Sequence, residues 1–106
     1  MTIFLSGGSN TLKEKGGWVS SFRDLADCGE PIENVSIGAA PSYMGAFRVM
    51  RTIDLKKGDT VLWEYGINDA NHIDQRGYDD GQLVEAVEWY ILHCAEVEAK
   101  FCALIF

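Results

Sequence analysis

Apolar residues along this chain follow two rhythms: short, nearly continuous runs, and longer stretches in which they recur every three or four positions. The runs are Thr2–Leu5, Asn34–Ile37, Thr60–Tyr65 and Cys102–Phe106. Strands buried on both faces read as near-continuous apolar segments, so each run is expected to be a strand of a parallel sheet. Between them, Trp18, Val19, Phe22, Leu25 and Ala26 keep helical spacing until Gly29 and Pro31 stop the helix. Tyr43, Met44, Phe47 and Met50 predict a second helix, ended before Lys56-Lys57-Gly58-Asp59. Leu83, Val84, Val87, Tyr90, Ile91, Cys94, Val97 and Phe101 predict a long third one, with Asp79 as cap and Gln82 in the capping-box position.

Strands alternating with helices imply right-handed βαβ units, hence an α/β fold: a three-layer α/β/α sandwich around a parallel sheet. A chain of 106 residues is a single domain, 1–106, and no repeat or linker interrupts it. The final apolar run has no helix after it. The expectation is therefore a domain truncated at its C-terminus, whose apolar edge self-associates or takes up the missing segment.

Charge narrows the partners. A net charge of −7 excludes a phosphate-backbone binder, which needs clustered Lys and Arg, and leaves small neutral or weakly charged ligands. No run approaches the roughly 18–20 apolar residues of a membrane span, and Met1–Gly7 lacks the basic start of a secretory signal. Cys28, Cys94 and Cys102 show neither Cys-x-x-Cys nor Cys/His metal spacing, so reduced core thiols in a cytoplasmic protein are expected, with no metal or cofactor.

Ligands of open α/β sheets bind outside the carboxyl ends of the strands. The chain places Gly7-Gly8-Ser9-Asn10-Thr11 after its first strand, Gly38 after its second and Gly66-Ile67-Asn68-Asp69 after its third. A hydroxyl, a glycine amide and an asparagine amide converging on one rim are what acyl transfer needs: a nucleophile, and N–H donors where an oxyanion develops. Each residue also has a structural reading. Ser9 can be a turn serine, and Asn68 and Asp69 can simply turn the chain after a strand. The first turn can cradle a phosphate, but it lacks both the Lys-Ser/Thr of a P-loop and the third glycine of a dinucleotide fingerprint.

In these three blocks the chain resembles the SGNH (GDSL-type) hydrolases, named for Ser, Gly, Asn and His in four separated blocks. Gly7-Gly8-Ser9-Asn10-Thr11 stands for their Gly-Asp-Ser-x-Thr, Gly38 for the second-block glycine, and Gly66-Ile67-Asn68-Asp69 for Gly-x-Asn-Asp. The resemblance implies the flavodoxin-like SGNH hydrolase fold and a serine esterase or acyl hydrolase acting on a small or carbohydrate-linked ester. Ser9 would be the nucleophile, with Ser9 N–H, Gly38 N–H and Asn68 Nδ2 as the oxyanion hole.

Two departures stand out. Gly8 occupies the usual aspartate position, and the fourth block, Asp-x-x-His, is absent after residue 100. Without that histidine the Ser9 hydroxyl has far too high a pKa to attack at neutral pH, so residues 1–106 alone are expected to be nearly inert. Asp69-Ala70-Asn71-His72 fits Asp-x-x-His by letter but overlaps the third block. In a 2-1-3-4-5 sheet the first and third strands are neighbours, which brings His72 toward Ser9 as a minor candidate base; its plainer reading is a loop histidine at the pocket rim. His93 falls on the polar side of the long helix and is expected to be solvated. The alternative to an esterase is a non-catalytic binding or interaction module that keeps the fold.

Overall fold

A computed structural model describes residues 1–26, 29–77 and 79–105. In chain order the elements are β1 (Ile3–Gly7), α1 (Ser9–Leu12), α2 (Trp18–Leu25), β2 (Ile32–Asn34), α3 (Ser42–Thr52), β3 (Thr60–Glu64), α4 (Gly66–Arg76), α5 (Asp80–Val97) and β4 (Lys100–Ala103). The strands form one parallel sheet in the order β2-β1-β3-β4. Phe4 pairs with Val61 and Val61 with Phe101, so these three share one face. On that face Phe4 and Val61 join Ala46, Val49, Tyr65, Tyr90 and Cys94 in a core roofed by α3 and α5. The fully buried Leu5 and Val19 lie outside that cluster, on the side of α1 and α2. The parallel α/β fold with helices on both faces is the one expected.

Several details differ from expectation, each for a physical reason. β2 runs Ile32–Asn34, ahead of the expected Asn34–Ile37. Past Asn34 the ladder is interrupted because the Gly7 amide donates to Ser36 Oγ at 3.0 Å, where a continuing strand would present a backbone carbonyl. The chain still tracks β1, with Val35 N–H on Leu5 O (2.8 Å) and Ile37 N–H on Gly7 O (3.0 Å).

α3 buries a different face from the one its large residues predict. Met44, Phe47 and Met50 are exposed, and Ser42, Gly45, Ala46 and Val49 face inward. Small residues win the inner face because a Cβ on Gly45 would meet the Tyr65 ring and the Tyr90 hydroxyl. Phe47 instead stacks at 5.5 Å on Trp89 at the outer seam between α3 and α5. α2 likewise buries Val19 but leaves Leu25 in solvent.

The long helix α5 begins as read: Asp79 accepts the Gly81 amide at 2.7 Å, one residue earlier than a full capping box. It ends sooner than expected. Glu98 adopts a left-handed φ of 60° and Ala99 N–H returns to Cys94 O, closing the helix and freeing Phe101 for β4. Cys94 is buried and its thiol is pushed up to about 11 by that burial, whereas Cys102 is exposed and not a core thiol. Both are free cysteines. His93 is half-buried rather than fully solvated. Cys28 and Phe106 lie outside the described residues. No helix among the described residues is long and apolar enough to cross a membrane.

Candidate active site

Two neighbouring strands deliver the first and third blocks. β1 ends at Gly7, Gly8 caps α1 in an extended conformation, and Ser9 is the first, exposed residue of that helix. Its N–H belongs to the first turn, ahead of the i→i−4 ladder. The turn is pinned to β3, because Gly8 N–H donates to Glu64 O at 3.0 Å. The third block is not the turn that its glycine suggested. Tyr65 caps α4, Gly66 starts it and Asp69 N–H reaches back to Tyr65 O at 2.7 Å, so Asn68, Asp69 and His72 all ride on one helix.

Ser9, Ala39, Asn68, Asn71, His72, Gln75 and Arg76 line a cleft of about 230 Å³ at the carboxyl edge of the sheet. The structure therefore brings Ser9, Asn68 and His72 to one cleft. Gly38 sits in an exposed turn one residue before the lining residue Ala39, beside the end of β1 through the Ile37–Gly7 hydrogen bond. The half-buried Asn68 gives one N–H of its amide to Ala40 O at 2.9 Å, leaving its second N–H. Its side chain lies against Gly8, where an added Cβ would overlap it.

Asp69 is buried and accepts the Ser42 amide at 2.7 Å, which ties α4 to the first turn of α3. Burial raises its pKa, against the opposing pull of the Ser42 bond and the nearby His72. His72 is also buried, with Nε2 3.1 Å from Ala39 O. Since a carbonyl only accepts, Nε2 carries the proton in that contact.

Beneath the nucleophile turn lies a glutamate set inside the apolar run Thr60–Tyr65. Glu64 is 2% exposed and accepts a 2.7 Å hydrogen bond from Thr11 Oγ1, the threonine of the first block. Thr11 in turn accepts from Trp18 Nε1 at 3.3 Å. Burial lifts the Glu64 pKa, only partly offset by the Thr11 bond.

Among the described residues no group of three or more His, Cys, Asp or Glu could hold a metal ion. A larger hollow of about 480 Å³ at the opposite edge is lined by Met1, Thr2, Asp54, Lys56 and Asp59. Its buried carboxylate is already taken, Asp59 accepting the Thr2 and Lys56 amides at 2.8 and 2.9 Å.

No protein-family model and no curated protein matches the chain. Its structure is similar over its whole length to the crystal structure of TesA, at a TM-score of 0.79 and 26% identity, and it spans 61% of that chain. TesA is of the SGNH/GDSL type, so the resemblance carried by three short blocks extends to the fold.

Proposed function

We propose that this chain, which carries the N-terminal part of the SGNH hydrolase fold, is the nucleophile-bearing part of a serine esterase. The observation that supports the reading best is the shared cleft: Ser9 from the end of β1 and Asn68 from the helix after β3 meet in one concavity. Ser9 Oγ attacks the ester carbonyl, its proton passes to a base, and the alcohol leaves. Water then attacks the acyl-serine and releases the acid. The negative charge of each tetrahedral intermediate falls between the Ser9 amide, the Gly38 amide and the second N–H of Asn68.

The base, on this reading, is the histidine of an Asp-x-x-His block outside residues 1–106. The amides of Asn68, Asn71 and Gln75 make the cleft wall polar, which suits a small or carbohydrate-linked ester whose hydroxyls can hydrogen-bond to it. The exposed thiol of Cys102 fits a reducing cytoplasm.

The test is chemical. In the full-length protein Ser9 should be labelled by a fluorophosphonate and short aryl esters should be hydrolysed, and Ser9→Ala should abolish both. A full-length protein that hydrolyses no ester and whose Ser9 resists the probe is a binding module instead.

A further inference from the structure

We infer that His72 is a positioning residue: it holds the backbone turn that presents the Gly38 amide, and does not take the Ser9 proton. The inference rests on the esterase reading for its catalytic consequence, but not for its structural content.

Ala39 is the starting point. Its φ of 55° is left-handed, and among the described residues only Glu98 shares that conformation without being glycine. Such a conformation is strained for a residue with a Cβ and persists where its surroundings over-determine it. The surroundings here are one face of α4. His72 Nε2 donates to Ala39 O at 3.1 Å, Asn68 Nδ2 to Ala40 O at 2.9 Å, and Asp69 Oδ1 accepts Ser42 N–H at 2.7 Å. Asn68 and His72 are one helical turn apart, so they grip two consecutive carbonyls side by side.

The grip begins at the Ala39 carbonyl, one residue past Gly38, whose N–H is the proposed second-block donor. Oxyanion donors work by being preorganised, and a displacement of about 1 Å can cost ~10²-fold in rate. Proximity to Ser9 alone would make His72 look like a base. Its orientation argues otherwise: Nε2 is committed as donor to Ala39 O, and Nδ1, the nitrogen left with the lone pair, is a buried atom and not one open to the cleft. His72 is also 6% exposed, packed in as a strut between α4 and the turn.

Glutamine separates the two roles, since its amide nitrogen can reach where Nε2 sits and donate, yet it cannot accept a proton at neutral pH. In the full-length protein, His72→Ala should speed hydrogen exchange of the Ser42 amide, which bonds Asp69 at the end of the gripped turn, by on the order of tenfold, as expected for losing one hydrogen bond from that segment. It should also lower kcat by up to ~10²-fold with a smaller change in KM. His72→Gln should restore both toward wild type. Unchanged exchange of the Ser42 amide in His72→Ala overturns the strut. Equal loss of turnover in the Ala and Gln variants, with exchange of the Ser42 amide normal in the Gln variant, makes His72 the base. If His72→Ala does not fold, His72→Gln decides by the same two readouts. If wild type neither hydrolyses esters nor labels at Ser9, the esterase reading falls, and the exchange data still decide whether the strut exists.

Discussion

The side chain of Asn68 lies over Gly8 so closely that a Cβ on residue 8 would fall among its carboxamide atoms. Gly8 itself has φ −82° and ψ −156°, open to any L-residue. Glycine is held here by the neighbouring side chain, not by backbone conformation. At this position, where the SGNH pattern has aspartate, the third block packs onto the first. Gly8→Asp should therefore displace Asn68 from Ala40 O instead of restoring a missing function. Ester turnover should fall toward the ~10²–10³-fold loss typical of a missing oxyanion donor. The melting temperature should move little, because a side-chain tip can swing aside. A gain in turnover would contradict this.

Removing Asn68 tests the same contact from the other side. Asn68→Ala leaves the nucleophile in place and deletes one oxyanion donor, so kcat should drop by about 10²–10³-fold, or ~2.7–4 kcal/mol, with KM nearly constant. Steady-state kinetics on a short aryl ester read both numbers. A rise in KM alone would assign Asn68 to ordinary substrate binding.

The fold was legible where a residue's chemistry acts locally. Continuous apolar runs gave β1 and β3, Asp79 gave the start of α5, and glycines after strands marked Ser9, Gly38 and Asn68. It was not legible where contacts from elsewhere decide. Ser36 replaces a backbone partner of Gly7 through its hydroxyl, which no strand pattern encodes. Glu98 ends α5 in a conformation that glycine usually supplies, so no glycine announced the stop. The sequence of α4 reads as a turn because its buried positions are Asp69 and His72, polar residues bonded to the Ala39–Ser42 segment, and not an apolar stripe.

α3 carries the clearest stability test. Its sequence nominates Met44, Phe47 and Met50 as core, yet its inner face is Ser42, Gly45, Ala46 and Val49. Gly45→Ala would drive a methyl into Tyr65 and Tyr90, so it should destabilise by about 1–3 kcal/mol despite the better helix propensity of alanine. Met44→Ala, at a residue 43% exposed, should stay within about 0.5 kcal/mol. Urea unfolding of the two variants gives the comparison, and the reverse ranking would return α3 to its sequence-predicted face.

The buried Glu64 makes stability depend on pH in a defined direction. Burial raises its folded pKa above the ordinary 4.5, and the Thr11 hydrogen bond does not cancel the shift. Between the ordinary and the raised value the folded chain binds more protons than the unfolded chain, so this group's contribution falls as pH rises. It is fully present below 4.5 and lost once pH has passed the raised value. Glu64→Gln keeps an acceptor for Thr11 but cannot titrate, and should flatten the slope of unfolding free energy measured from about pH 4 to about pH 8. A residual slope of the same sign should remain from Asp69, whose pKa burial raises as well. Thr11→Val keeps the shape and removes the donor, which should push the Glu64 titration still higher and cost about 1–3 kcal/mol near neutral pH. If wild type and Glu64→Gln show parallel pH profiles, the carboxyl beneath the nucleophile turn titrates as it would in water and the burial account of it is wrong.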